Sequence, residues 1–118
     1  MTKIGIVGTG MLGEAVGLHL IDVGYDVIVF NRTKKKTEKL KESGAMVLDT
    51  PKQIAENSNL VITIVKDANA VREVVFGEKG IMAGKHEGMC IADMSTVNPN
   101  STREISKQVT ENGIDYME

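Results

Sequence analysis

The chain has no tryptophan, and its two tyrosines and two phenylalanines bring the aromatic share to only 3%. So few flat side chains argue against a base-stacking surface for single-stranded nucleic acid. Neither sign of charge dominates: 14 Lys and Arg stand against 16 Asp and Glu, a formal net charge of −2. No global field draws such a chain to nucleic acid or to an anionic membrane. The single cysteine, Cys90, excludes an intrachain disulfide and sits in an apolar run, where it reads as a buried, inert thiol. His19 and His86 are far apart and lack ligand spacing with Cys90, so no metal site is expected. Every apolar run is too short to cross a bilayer, and Met1-Thr2-Lys3 leads straight into Ile4-Gly5-Ile6-Val7 without a secretory leader. The compartment expected by default is the cytoplasm.

What is present is an ordinary globular composition, 42% hydrophobic and 25% charged, over 118 residues. That length suits one domain with one core. Residues 3–7 read as a short buried strand. Residues 11–23 read as a helix, with Leu12, Ala15, Val16, Leu20 and Val23 recurring at three- and four-residue steps and Gly24 as its stop. A second strand covers 26–30, and Thr33 is expected to cap a charged helix that ends near Gly44. A brief strand at 45–48 precedes Thr50-Pro51-Lys52-Gln53, where capping-box spacing coincides with proline at the first helical position. Residues 60–65, Leu-Val-Ile-Thr-Ile-Val, form a β-branched run suited to a strand covered on both faces. A helix is expected over 68–76 with Val71, Val74 and Val75 inward, then a glycine-punctuated loop, a strand at 89–94, a helix over 99–110 capped by Asn98, and a strand at 114–117. Strands alternating with helices imply an α/β fold of the Rossmann type, a doubly wound parallel sheet with helices on both faces.

Gly8-Thr9-Gly10-Met11-Leu12-Gly13 fits G-x-G-x-x-G. Alone the pattern is weak, but here a strand ends at Gly8 and a helix opens at Gly10, the setting a dinucleotide-binding turn requires. Gly8 permits the tight turn, Gly10 lets backbone N–H groups approach a pyrophosphate, and Gly13 lets the helix pack closely on the strand. The anion would then sit at the positive end of the helix dipole. No Gly-Lys-Ser/Thr follows, which excludes a P-loop.

Dinucleotide folds choose their cofactor at the tip of the second strand, about 20 residues past the glycines. Here the tip reads Asn31-Arg32-Thr33, with Arg32 standing 19 residues after Gly13. No carboxylate is there to accept from a ribose 2′-hydroxyl. Arg32 offers a planar fork and Thr33 a hydroxyl to a 2′-phosphate, with Lys36 one helical turn on. Lys34 and Lys35 read as a solvated helix start, although lysines in a first turn oppose the dipole. NADP(H) is therefore the preferred cofactor, with NAD(H) left open as the alternative.

These residues, with Val75-Phe76-Gly77-Glu78-Lys79-Gly80-Ile81 and above all Asp93-Met94-Ser95-Thr96-Val97-Asn98-Pro99, resemble the β-hydroxyacid dehydrogenase family. Its members include 3-hydroxyisobutyrate dehydrogenase, tartronate semialdehyde reductase and the glyoxylate–succinic semialdehyde reductases, and it is akin to 6-phosphogluconate dehydrogenase. The resemblance implies that Thr96 contacts the cofactor near its nicotinamide end and that Ser95 borders the substrate pocket. It also implies that Val65, Lys66 and Asp67 line the cofactor groove with Val71 behind them. The general rule for open parallel sheets leads to the same strand ends, although Ser95 and Thr96 would equally suit the approach to a helix. Lys66 departs from the family, which usually has an apolar residue or proline there.

The family's catalytic lysine and substrate asparagine belong to a following helical domain, whose leading segment resembles Asp115-Tyr116-Met117-Glu118. Lys66, Lys85 and Lys107 do not lie in the matching motif. The implied whole is an oxidoreductase passing hydride between NADP(H) and a small hydroxy acid or aldehyde acid, of which residues 1–118 form the nucleotide-binding domain, inactive alone. A stand-alone regulatory module that binds pyridine nucleotide is the alternative. A pyrroline-5-carboxylate reductase shares the opening turn but not the 93–99 loop. Apolar residues near Ile114, Tyr116 and Met117 suggest self-association.

Overall fold

The computed structural model describes residues 3–118, in which the apolar runs lie side by side as parallel strands. The strands are β1 (Lys3–Val7), β2 (Asp26–Phe30), β3 (Met46–Val47), β4 (Leu60–Thr63), β5 (Cys90–Asp93) and β6 (Asp115–Met117). Their spatial order is β3-β2-β1-β4-β5-β6. The helices are α1 (Met11–Asp22), α2 (Glu38–Glu42), α3 (Pro51–Glu56), α4 (Ala68–Phe76) and α5 (Pro99–Glu111). This is the expected Rossmann-type α/β fold. The chain winds outward from β1 to β3, then returns to lay β4 on the other side of β1. Val7 pairs with both Phe30 and Thr63, so the carboxyl ends of the three central strands share one crevice.

Strand alternation divides the core between two faces. Ile6, Val27 and Val29 pack with Leu40 and Ala45 beneath α1 and α2. Val7, Ile28, Val61 and Ile91 pack with Ile54, Val71, Val75, Ile105 and Val109 beneath α3, α4 and α5. Each fully buried Ile or Val contributes on the order of 1.5–3 kcal/mol.

The helix starts follow local chemistry. Thr50 Oγ1 accepts from the Gln53 N–H over 3.1 Å, Asp67 Oδ1 from the Ala70 N–H over 2.8 Å, and Asn98 Oδ1 from the Ser101 N–H over 2.9 Å.

Three expectations are corrected. On α1 the buried residues are Gly13 and Gly17, while Leu12, Ala15 and Val23 are exposed. The glycines let the helix lie so close to the sheet that a Cβ on Gly17 would stand 2.7 Å from Leu40 Cδ2. Thr33 caps no helix with its side chain. Residues Lys34–Thr37 form a 3-10 turn before α2, in which Thr37 is buried and donates to the Lys34 carbonyl over 2.6 Å. The strands β3 to β6 are also shorter than expected, whereas β1 and β2 keep the expected bounds. At the end of β4 the Val65 N–H leaves the ladder and donates to Ser95 Oγ over 2.8 Å.

Candidate functional site

The glycine turn begins where β1 ends. Gly8 has φ +105°, a left-handed conformation that suits glycine, and a Cβ there would lie 2.0 Å from the Ile64 carbonyl oxygen. A Cβ on Gly13 would lie 2.0 Å from the Gly8 carbonyl oxygen, so this glycine is a packing requirement. A Cβ on Gly10 would meet nothing within 4 Å. The space beside Gly10 faces the first turn of α1, whose N–H groups have no intrahelical partners. An unfilled cradle at a helix N-terminus fits the diphosphate of a dinucleotide.

The tip of β2 is tied to that turn. The Thr9 N–H donates to Asn31 Oδ1 over 2.9 Å, the Thr9 hydroxyl donates to the Lys36 carbonyl over 3.0 Å, and Asn31 Nδ2 donates to the Thr33 carbonyl over 3.0 Å. Both ends of the Asn31 amide are thus spent on shaping the loop. Thr9 is buried and does not reach the groove.

A groove of about 630 Å³ opens along this wall. Gly8, Gly10, Met11, Leu12, Gly13, Asn31, Arg32, Thr33, Lys36, Val65 and Lys66 all border it. Sequences far apart in the chain therefore converge on one cavity. Val71 does not border it: the side chain is wholly buried in the core behind. Asp67 also stands outside it, its carboxylate engaged as the cap of α4.

The opposite wall was not foreseen in the sequence. It is formed by Ala70, Glu73 and Val74 of α4 with Gly77, Glu78, Lys79 and Gly80. The spacing 70, 73, 74 and 77 is one helical face, and that pattern was its only signal. Arg32 Nη2 lies 3.3 Å from Glu73 Oε2. Lys34, by contrast, pairs with Asp49 away from the groove.

Ser95 and Thr96 lie beyond the end of β5. Asp93 is buried and accepts from Thr63 Oγ1 over 2.8 Å and from the Ser95 N–H over 3.1 Å. This holds Ser95 where it takes the Val65 N–H. Thr96 borders a separate cleft of about 430 Å³ with Asp67, Asn69, Arg72, Asn98 and Ser101. Burial, and then the nearby Asp93 carboxylate, push the Tyr116 phenol well above its ordinary range. Cys90 is half-buried, and burial followed by the charge of Asp115 raises its thiol, which disfavours the reactive thiolate. Among the described residues, no helix is long and apolar enough to cross a membrane.

The family model described as the NAD binding domain of 6-phosphogluconate dehydrogenase matches residues 3–118. The chain is 44% identical over 107 residues to an Arabidopsis thaliana protein named "Probable 3-hydroxyisobutyrate dehydrogenase-like 1, mitochondrial", covering 90% of this chain and 32% of that one. It thus spans about a third of the length of such a relative. An imine reductase from Myxococcus stipitatus in complex with NADP+ superposes with a TM-score of 0.89 at 25% identity, over 97% of this chain and 39% of that one. The 3-hydroxyisobutyrate dehydrogenase of Mycobacterium tuberculosis shares the fold, with a TM-score of 0.90 at 21% identity over 98% of this chain and 39% of that one. A glycine cradle, an acid-free β2 tip and a family match over every described residue agree. The chain belongs to the family of the NAD-binding domain of 6-phosphogluconate dehydrogenase.

Proposed function

We propose that this chain is the NADP(H)-binding domain of a 3-hydroxyacid dehydrogenase-type oxidoreductase. One observation carries the cofactor preference: Arg32, Thr33 and Lys36 border the same groove as the glycine turn, with no carboxylate at the β2 tip. In this reading Gly8 to Gly13 hold the diphosphate through backbone N–H groups, and Arg32 with Lys36 takes the 2′-phosphate. Met11, Leu12, Val65 and Lys66 border the length of the nucleotide, and Thr96, beyond the end of β5, is assigned to its nicotinamide end. Asn31 borders the groove and shapes the two loops with buried Thr9, and Val71 anchors α4 in the core behind. The bound nicotinamide supplies the hydride chemistry.

The substrate class is a small hydroxy acid or aldehyde acid, placed against Ser95. The catalytic lysine belongs to a helical domain of the whole protein, outside these residues. The short relative coverage of 32% supports that division. Homo-oligomerisation of the whole protein and a cytoplasmic site belong to the same reading. Self-association of this chain by itself is supported by exposed Met117 on the edge strand β6, while Ile114 is buried.

Calorimetric titration with NADP+ and NAD+ tests the cofactor preference. NADP+ is expected to bind more tightly, with the difference lost in Arg32→Ala. Tighter NAD+ binding, or an Arg32→Ala variant with unchanged NADP+ affinity, would overturn it. The purified chain with NADPH and succinic semialdehyde or glyoxylate is expected to bind cofactor without appreciable turnover. Rapid turnover would refute the division between domains.

A further inference from the structure

Arg32 already has an anion. Its Nη2 stands 3.3 Å from Oε2 of Glu73, which reaches it from α4 across the groove, 41 residues further along the chain. Both side chains border the cavity between the β2 tip and α4, together with Val74. They are 75% and 67% exposed, so the pair is accessible to an incoming ligand and is screened by solvent. A guanidinium presents one planar fork, and carboxylate and phosphate seek the same N–H edges of it.

We propose that Glu73 is a specificity-determining residue, an internal anion that competes with a nucleotide 2′-phosphate for Arg32. The inference rests on the NADP reading above. A 2′-phosphate entering beside Arg32 must displace the carboxylate or share the fork with it, and it meets a like charge while doing so. A 2′-hydroxyl carries no such charge, and the ion pair can persist beside it. Glu73 therefore lowers affinity for the phosphorylated cofactor selectively and narrows the difference between NADP and NAD. Lys36 does not relieve this competition, since added positive charge attracts phosphate without withdrawing Glu73 from Arg32.

The experiment is calorimetric titration of wild type, Glu73→Gln, Arg32→Ala and the double variant with NADP+, NAD+ and 2′-AMP, the last as an isolated 2′-phosphate probe. Glu73→Gln is expected to tighten NADP+ and 2′-AMP by about two- to fivefold, the range of an exposed ion pair, and to change NAD+ less. The gain is expected to vanish when Arg32 is alanine. Glu73→Asp, which keeps the charge but shortens the reach, is expected to fall between wild type and Glu73→Gln. Unchanged or weaker NADP+ binding in Glu73→Gln overturns the inference. So does a gain that persists without Arg32, because that gain would be general charge repulsion. If Arg32→Ala weakens NADP+ while Glu73→Gln has no effect, only the role of Glu73 fails. If Arg32→Ala leaves NADP+ unchanged, the NADP reading and this inference fail together.

Discussion

The backbone N–H of Thr9 donates to Oδ1 of Asn31 over 2.9 Å, joining the glycine turn to the tip of β2 across 22 residues of chain. With the Thr9 hydroxyl on the Lys36 carbonyl, this makes one unit of two loops that border the same groove. Asn31→Ala leaves a buried N–H without its acceptor, a loss of about 1–3 kcal/mol. Urea denaturation is expected to show that loss. Binding of NADP+ and NAD+ is expected to weaken together, unlike the selective loss from Arg32→Ala. An Asn31→Ala variant of wild-type stability would show that the Thr9 N–H finds another partner.

Gly10 and Gly13 are expected to fail for different reasons. A methyl group on Gly10 meets no protein atom within 4 Å, so Gly10→Ala should still fold, with a loss of at most about 1 kcal/mol from the poorer N-cap. The same methyl occupies the approach to the diphosphate, and dinucleotide affinity should fall at least about tenfold. Gly13→Ala presses on the Gly8 carbonyl oxygen and should lower the melting temperature itself. Normal nucleotide binding by a folded Gly10→Ala variant would remove the cradle from the site.

His86 makes folding depend on pH. Its Nε2 lies 2.7 Å from the Ser58 carbonyl oxygen and its Nδ1 lies 3.1 Å from the Glu87 carbonyl oxygen. Carbonyls only accept, so the doubly protonated ring suits both contacts. The Ser58 carbonyl, then that of Glu87, raise the imidazole above its ordinary 6.5, outweighing desolvation. The folded chain therefore holds this proton more tightly than the unfolded chain. Its stabilising contribution is complete below 6.5 and is lost as pH rises through the raised folded value. As pH rises from below 6.5 through the raised folded value, denaturation midpoints of wild type should fall relative to those of His86→Gln. Parallel curves for the two proteins would contradict this.

The hydroxyl of Tyr116 is buried near the Asp93 carboxylate without a hydrogen bond of good geometry among the described residues. Tyr116→Phe removes an unsatisfied polar group while keeping the ring, and should raise stability by about 1 kcal/mol. Thr63→Val does the opposite. It takes a 2.8 Å donor from the buried Asp93 carboxylate and should cost about 1–3 kcal/mol, measured by the same denaturation. A destabilised Tyr116→Phe would mean that the hydroxyl donates to the Asp93 carboxylate in solution.

The parts legible in the sequence share a local cause. Thr50, Pro51 and Gln53 begin α3, and Asn98 begins α5, through hydrogen bonds that reach only three residues ahead. The glycine turn is legible because its backbone demands act within one strand–helix junction. The buried face of α1 was legible in part: Val16 and Leu20 pack against the core and Gly13 lies against the strand, but Gly17 carries no hydropathic signal and its close packing left Leu12, Ala15 and Val23 outside. The 3-10 turn after Thr33 was hidden similarly, since the anchoring of Thr37 depends on geometry rather than polarity.

The sequence by itself determined the fold class, the glycine turn and an acid-free strand tip bearing Arg32. Strand alternation, helix periodicity and glycine placement are encoded within short windows. Only the tertiary structure decided which residues oppose that tip. Glu73 is 41 positions from Arg32, and the parallel crossover that brings α4 over the sheet places them 3.3 Å apart. The burial of Thr9 and Val71 behind the groove was decided in the same way, because a residue's side of a wall is a property of packing and not of its neighbours in the chain.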